Sequence, residues 1–356
     1  MPPSKSFEPV RVGVAGLGRS GIFHVERIGL RDDCRIVALY DDCAAARRRS
    51  QTANITPYAD WREFLSDETI DLVLLATPPA LHAELAIQAM AAGKHVAIET
   101  PMCLSLPEAE AVVAASRRTE RSVSVAHLRR WDDDFRTARA ALASGQLGRP
   151  VAIKLVNWHY NPRWLSQAAA EKPASEASDF SGLAPAHWRD QASTGGGVLW
   201  EFGVHVFDQL LQLAGRAPES VYARIIQPPG AQADDGFLAI VEFSGGLVGH
   251  VEICRTAAAP LDTGWTIAGD AGSYAGFTLY VPNPDGEVAD LPLPPDSRSA
   301  DEYYAQLARH VRLGEPNPAS ADDARGAIAL IHAVRQSART GAEQFVEDGN
   351  HEKRDL

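Results

Sequence analysis

Arg11-Val12-Gly13-Val14-Ala15-Gly16-Leu17-Gly18-Arg19-Ser20-Gly21 is the stretch on which the reading of this 356-residue chain turns. A mostly apolar run enters three closely spaced glycines and a segment of helical spacing follows. A second apolar run, Arg35-Ile36-Val37-Ala38-Leu39-Tyr40, then stops at Asp41. A strand that turns directly into a helix leaves the helix's first N–H groups unpaired and pointing outward, and glycines let a pyrophosphate come close to them. The acid twenty residues beyond Gly21, at the tip of the next strand, is where a ribose diol finds a hydrogen-bond acceptor. Strand, turn, helix and acid together predict a dinucleotide site built from Gly16, Leu17, Gly18, Arg19, Ser20, Gly21 and Asp41. The competing reading is a plain strand-to-helix turn in which Asp41 only caps the next helix. Asp41 would repel a 2′-phosphate, so NAD is expected ahead of NADP, and Arg47-Arg48-Arg49 is assigned to the solvated face of the following helix.

The same unit recurs downstream. Asp71 to Ala76 is a short apolar run of the kind buried on both faces of a parallel sheet. It ends at Thr77-Pro78-Pro79, which opens a helix from Leu81 to Ala92. Strand His95–Ile98, turn Glu99-Thr100-Pro101, helix Pro107 to Arg118 and strand Ser122 to Ala126 follow. Five strands alternating with helices predict a doubly wound sheet with its ligand at the carboxyl ends, so Thr77, Pro78, Pro79, Glu99 and Pro101 join the expected cofactor set.

Past residue 130 the pattern changes, which divides the chain into an expected dinucleotide domain over 7–130 and a second, substrate-binding and oligomerisation domain over 131–345, with the last helices expected to pack back near the first domain. A helix from Asp132 to Ala143 precedes a strand from Val151 to Trp158. The runs Ser220 to Gln227, Gly236 to Phe243, Leu247 to Cys254 and Trp265 to Gly269 come without intervening helices, as in a largely antiparallel sheet. Asn161 to Thr194 has little periodicity, and a loop of that length is usually functional. Two amphipathic helices, Asp301 to Arg312 and Ala321 to Thr340, close the pattern.

Bulk composition excludes several classes. A hydrophobic share of 45% and a charged share of 22% are those of a globular protein, and a net charge of −12 without a basic stripe argues against nucleic acid. Cys34, Cys43, Cys103 and Cys254 show neither pairing nor metal-ligand spacing. With no signal-like N-terminus and no apolar run of membrane-spanning length, a cytoplasmic protein that does not engage a membrane is expected.

The second informative stretch is Gly195-Gly196-Gly197-Val198-Leu199-Trp200-Glu201-Phe202-Gly203-Val204-His205-Val206-Phe207-Asp208. Helical spacing puts Glu201 and His205 four apart on one face, where a carboxylate can orient an imidazole and raise its basicity as a general base needs. Trp158 and Tyr160, at a strand end beside the irregular segment, are assigned to a stacking wall for substrate, with Arg130, His187 and Trp188 as further substrate contacts. Glu201, His205 and either His159 or His187 have the residue types of a metal site, but no ligand spacing supports one and no metal is expected.

With Gly16 to Gly21, Ala76-Thr77-Pro78-Pro79 followed by His82, Gly93-Lys94-His95-Val96 leading into Glu99-Thr100-Pro101, Arg129-Arg130-Trp131, Trp188-Arg189 and Gly195 to Asp208, the chain resembles the glucose–fructose oxidoreductase, inositol dehydrogenase and MocA group, Gfo/Idh/MocA. The resemblance implies an α/β fold: an N-terminal Rossmann doubly wound parallel sheet, then a C-terminal α/β domain with an open, mostly antiparallel sheet used for homodimer or homotetramer contacts. It adds His82 to the cofactor set. It also implies hydride transfer between NAD(P) and a hydroxyl carbon of a sugar-like, cyclitol or other cyclic small molecule. The chain departs from the family where a lysine is common in the turn after the fourth strand, here Thr100, and where an aspartate is common four before the histidine, here Glu201. His205, Glu201 and Thr100 are therefore the expected catalytic set. A threonine hydroxyl gives a neutral hydrogen bond, roughly half as strong as one from an ammonium. Three readings stay open: a dehydrogenase, a redox-neutral lyase or glycosidase that uses NAD transiently, and a non-catalytic NAD sensor.

Overall fold

The structure, a computed structural model, describes residues 7–49, 55–160 and 191–347. It divides into two compact units, with residues up to His127 and Asp301–Arg325 in the first and the chain from Leu128, with residues from Gly326 on, in the second. The change of unit falls at 127/128, and the helix after Asp301 belongs to the first unit.

In the first unit β1 (Val10–Ala15), α1 (Arg19–Gly29), β2 (Cys34–Tyr40), α2 (Ala44–Arg49), β3 (Thr56–Tyr58), α3 (Trp61–Ser66), β4 (Leu72–Leu75), α4 (His82–Ala91), β5 (His95–Ile98), α5 (Leu106–Thr119) and β6 (Val123–Val125) alternate along the chain. The sheet has six strands in the order β3-β2-β1-β4-β5-β6, and every described pairing is parallel. All four residues of β4 are buried, as a strand covered on both faces requires. The expectation of five strands missed β3, whose three residues Thr56-Pro57-Tyr58 include a proline and two exposed positions, so no apolar run announces this edge strand.

Local chemistry sets the helix ends. The Asp60 carboxylate accepts the N–H groups of Arg62 and Glu63, and at α5 the Ser105 hydroxyl accepts the Glu108 N–H while the Glu108 carboxylate accepts the Leu104 N–H. The returning helix α8 (Glu302–Leu313) buries Tyr303, Tyr304, Leu307 and Ala308. Its Arg312 donates to the carbonyls of Glu8 and Pro9 and to the Asp71 carboxylate. Asp71 also accepts from the Arg11 guanidinium at 2.7 Å. Burial pushes the Asp71 carboxyl up, but the bonds from Arg11 and Arg312 outweigh it and hold the group at about 2.

The second unit contains α6 (Asp133–Ala143), β7 (Pro150–Tyr160), α7 (Val204–Ala214), β8 (Pro218–Ile226), β9 (Gly236–Phe243), β10 (Leu247–Cys254), β11 (Thr256–Gly269), β12 (Ser273–Ala275), β13 (Thr278–Pro282), β14 (Val288–Pro292) and β15 (Gln344–Phe345). These form a nine-stranded sheet, β14-β13-β12-β11-β7-β10-β9-β8-β15, antiparallel except where β7 meets β10. The short, turn-rich strands β12 to β14 were not expected, and β11 starts at Thr256 well before the anticipated Trp265.

Helix α7 covers one face of this sheet. The Trp265 indole donates to Gln209 at 2.9 Å, and a Cβ on Gly249 would stand 3.0 Å from Leu210. Ile153 and Leu155, paired with Gly249 and Trp265, share that face. Lys154, Trp158, His250 and Glu252 occupy the other, where Tyr222, Ile240 and Val248 are exposed. The final helix α9 (Ala321–Thr340) keeps its expected bounds. Among the described residues no helix is long and apolar enough to cross a membrane.

Candidate functional site

The glycine turn of the first unit is built on close backbone approach. Gly16 has φ +91°, and a Cβ there would lie 2.6 Å from the Ala76 carbonyl oxygen. A Cβ on Gly21 would fall 1.8 Å from the Gly16 carbonyl oxygen, so helix α1 can enter at this distance only without a side chain. Gly18 precedes α1 with no side-chain cap, and no acid lies in the helix's first turn. The helix N-terminus is left to an anion from outside.

Asp41 does two jobs there. Its carboxylate accepts the Leu17 N–H at 2.7 Å and the Cys43 N–H at 2.8 Å, while the Arg47 guanidinium donates to its carbonyl. It therefore both ties down the glycine turn and caps the start of the next helix. Burial raises its pKa and the two backbone bonds oppose that. Leu17 spends its N–H on Asp41 and is buried, so it supports the turn. Arg19 is exposed.

A cavity of about 380 Å³ opens beside this turn, lined by Tyr40 and Trp61, by Thr77, Pro78 and Leu81, and by three carboxylates, Asp41, Asp42 and Glu84. Trp61 is held by its indole N–H on Gln88 at 2.6 Å and by an edge contact with Tyr40. The Thr77 hydroxyl is buried without a hydrogen-bond partner among the described residues. Asp42 and Trp61 were not expected; Asp42 follows the strand-end acid directly, and Trp61 opens α3. The uncapped helix start, the glycine cradle and the aromatic wall fit a dinucleotide.

His82 is placed differently from the expectation of cofactor contact. Its ring is buried between two acceptors, Nδ1 at 2.8 Å from the Pro101 carbonyl and Nε2 at 2.7 Å from the Thr77 carbonyl. Burial lowers its pKa, and a neutral ring donates to one carbonyl at a time, fastening the turn after β4 to the turn after β5. Pro79, also buried, starts the helical turn ahead of α4. Thr100 donates its N–H to the Glu99 carboxylate at 2.8 Å, and the other Glu99 oxygen lies 2.8 Å from Nε2 of His24.

In the second unit Gly197, at φ +105°, stands where a Cβ would meet the Asp234 carboxylate at 2.1 Å. Without that side chain Asp234 reaches the Leu199 N–H at 2.8 Å and starts the helical run. The run is not regular: Leu199–Gly203 forms a π-helical turn before α7, where the sequence had suggested one continuous α-helix. Such turns widen the backbone and recur at functional sites. Glu201 lies in the π turn and half-buried His205 in the first turn of α7. The Glu201 carboxylate is 3.8 Å from the Arg255 guanidinium, a partner the sequence reading missed; the available signal was a lone cation directly after an apolar strand.

The substrate candidates separate. The Arg130 side chain is 9% exposed and forked onto Asp208, with Nε–Oδ2 of 2.8 Å and Nη2–Oδ1 of 2.5 Å, a bidentate pair that fastens α7. Trp158 donates to Glu252 at 3.1 Å, and its strand parity puts it on the sheet face opposite α7. Tyr160 has that same parity and is 55% exposed. The two aromatics expected as a stacking wall therefore share the sheet face opposite α7, because successive strand residues alternate faces. Asn157 and His159 have the parity of the α7 side, and the Asn157 amide links the His159 ring at 3.1 Å to the Asp262 carboxylate at 2.9 Å. Asn157 and Asp262 line a cavity of about 550 Å³ with Arg129, Asp132, Asp134 and Phe202. Burial pushes Asp132 up to about 6 despite Arg129 at 3.3 Å. His187 and Trp188 lie outside the described residues. Among the described residues no group of three or more His, Cys, Asp or Glu side chains is placed to hold a metal ion.

Residues 10–127 match a profile described as an oxidoreductase family with an NAD-binding Rossmann fold, and residues 135–275 match the GFO/IDH/MocA C-terminal domain. The chain belongs to the Gfo/Idh/MocA oxidoreductase family. Within it, scyllo-inositol 2-dehydrogenase (NADP(+)) IolW of Bacillus subtilis (strain 168) is 25% identical, over 94% of this chain and 95% of the relative. Myo-inositol 2-dehydrogenase of Thermotoga maritima is 24% identical over 92% and 96%. Among solved structures, the Gfo/Idh/MocA fold recurs in an NAD-binding protein from Listeria innocua, with TM-score 0.82 and 23% identity over 95% of this chain and 100% of that one. It recurs also in the WlbA dehydrogenase of Bordetella pertussis, solved with NADH and UDP-GlcNAcA, with TM-score 0.78 and 22% identity over 96% and 99%.

Proposed function

We propose that the protein is an NAD-dependent oxidoreductase that transfers a hydride between the nicotinamide and a hydroxyl-bearing carbon of a sugar-like or cyclitol substrate. The observation that carries the reading is the uncapped start of α1 beside a cavity walled by Trp61 and Tyr40 and by three carboxylates. That charge disfavours a 2′-phosphate, which supports NAD although one inositol dehydrogenase relative is named for NADP. When bound, the nicotinamide supplies the hydride acceptor or donor. The chain's own part is to hold and move the hydroxyl proton, and His205 is assigned that exchange, with a reference pKa near 6.5 suited to neutral pH. Glu201, four residues before it, pairs with Arg255. The second cavity, with Asp132, Asp134, Asp262 and Asn157 as acceptors and Phe202 as an apolar wall, supports a polyhydroxylated ligand, and the inositol named in both relatives supports the same class. The exposed apolar residues Tyr222, Ile240 and Val248 on the open sheet face support a homodimer or homotetramer.

The test is NADH absorbance from NAD and a panel of cyclitols and sugars. Activity is expected to fall by about 10²–10⁴-fold in His205→Ala, the range of a lost acid–base group, and unchanged turnover would remove His205 from the mechanism. Thr100, which offers only a neutral hydroxyl where the family commonly has a lysine, favours one second reading, redox-neutral elimination. Product formation with no accumulating NADH selects it.

A further inference from the structure

The cavity of about 550 Å³ in the second unit is lined by four carboxylates, Asp132, Asp133 and Asp134 at the start of α6 and Asp262 on β11, against one cation among the described lining residues, Arg129. Acids at a helix start suit its dipole. That does not account for Asp132, whose carboxylate makes no capping bond to the helix, or for Asp262, which comes from a different segment. The arrangement also works against itself. Burial raises the Asp132 and Asp134 carboxyls, Asp134 and Asp133 add to the rise at the first and Asp262 to the rise at the second, and Arg129 only opposes it.

The donors of the same lining are turned to the protein itself. The Asn157 amide donates to Asp262, and the Gln209 amide donates to the Arg129 carbonyl while its oxygen accepts the Trp265 indole N–H. The Arg129 guanidinium lies 4.4 Å from the centre of the Phe202 ring and 3.3 Å from Asp132. A neutral polyol gives and takes hydrogen bonds at every hydroxyl and is matched by a wall of mixed groups, whereas an ammonium has donors only and a charge that carboxylates and an aromatic face both favour. Among the described residues no three carboxylates are placed to share a metal ion, so the cation that fits is one carried on an organic ring. We propose that this cavity takes a substrate bearing a protonated amino group, an amino sugar or an aminocyclitol, and that Asp132, Asp134 and Asp262 select it over its hydroxyl counterpart. This names the substrate class within the oxidoreductase reading above and rests on it. The ammonium is an anchor: the hydride and the proton still leave from a hydroxyl-bearing carbon and its oxygen, and the carbon–nitrogen bond stays intact.

The experiment gives the full chain NAD and substrates matched in pairs: glucose against glucosamine, and myo-inositol against inositols in which one hydroxyl is replaced by an amino group. The N-acetylated amines keep the nitrogen and remove its charge. In at least one pair kcat/KM for the amine is expected to exceed that of its hydroxyl partner by about 10- to 100-fold, and acetylation to abolish the gain. A preference confined to the glucosamine arm or to the inositol arm tells the two rings apart. Asp134→Asn and Asp262→Asn are each expected to cut the amine-to-hydroxyl ratio about tenfold; the paired substrates decide alone if neither variant folds. Turnover of the hydroxyl compounds equal to or better than that of the amines, acetylated amines as good as the free ones, or a ratio unmoved in both variants would overturn the inference and leave the oxidoreductase reading standing. If NAD binds and no amine is turned over, the inference alone falls. If NAD does not bind, the dinucleotide reading falls and this inference with it.

Discussion

The first unit is made by neighbours in sequence and the second by partners across it, and the two differ accordingly in what each residue's position reveals. In the parallel sheet a strand, a turn and a helix follow one another, and the turns that carry the site repeat at the same end of every strand. In the mixed sheet the chemistry depends on which face of β7 a residue occupies and on contacts such as Gly197 with Asp234 and Glu201 with Arg255. A local rule therefore suffices for the first, whereas the second is sensitive to a shift of a single residue.

The largest effect that can test this contrast is at Gly21. An alanine there would set its Cβ against the Gly16 backbone, which no side-chain movement relieves. NAD affinity is expected to fall by more than about 100-fold, measured by titration, because the helix start can no longer approach the pyrophosphate. Retained affinity would mean that the glycine turn is ordinary packing.

A smaller effect separates the two faces of β7. Asn157→Ala is expected to raise KM for the substrate about tenfold through lost hydrogen bonding in the acid-lined cavity. Trp158→Ala, one position on, is expected to leave KM within about twofold. The reverse result would restore the stacking wall and overturn the assignment of faces.

The smallest effect concerns Asp71, which pairs with Arg11 close by and with Arg312 from the returning helix. Its carboxyl is held at about 2, below the ordinary 3.8, so its contribution to stability is present above the ordinary value and is lost as pH falls through about 2. Thermal unfolding of Asp71→Asn should start a few degrees below the unaltered protein at neutral pH. The two curves should converge near pH 2, and a constant gap would show that the pairing carries no charge.

How much the sequence revealed follows the same division. The bounds of His95–Ile98, Gly236–Phe243, Leu247–Cys254 and Ala321–Thr340 coincide with expectation, because runs of four or more residues with clear apolar periodicity outweigh local ambiguity. Thr56–Tyr58 was lost because three residues carry no period. Around the acid-walled cavity, Gly16, Asp41, Thr77 and Pro78 were legible from spacing and Asp42 and Trp61 were not. The His24–Tyr304 bond was not legible either, since a histidine on a helix reads as ordinary until the residue 280 positions away is folded against it. For Trp158 the sequence left the face open: an aromatic at a strand end attracts attention whichever way it points, and only the sheet partner fixes the face.

The return of Asp301–Arg325 to the first unit has a consequence for how the protein is made. A ribosome delivers β1 to β6 early, but Tyr303, Tyr304, Leu307 and Arg312 emerge only after β7 to β14, eight of the nine strands of the second sheet, have been synthesised. At about 5–20 residues per second, the glycine turn waits many seconds for its last supporting helix. A nascent chain paused before Asp301 would carry a dinucleotide fold with an open flank, and that interval is when a chaperone would find a surface to hold.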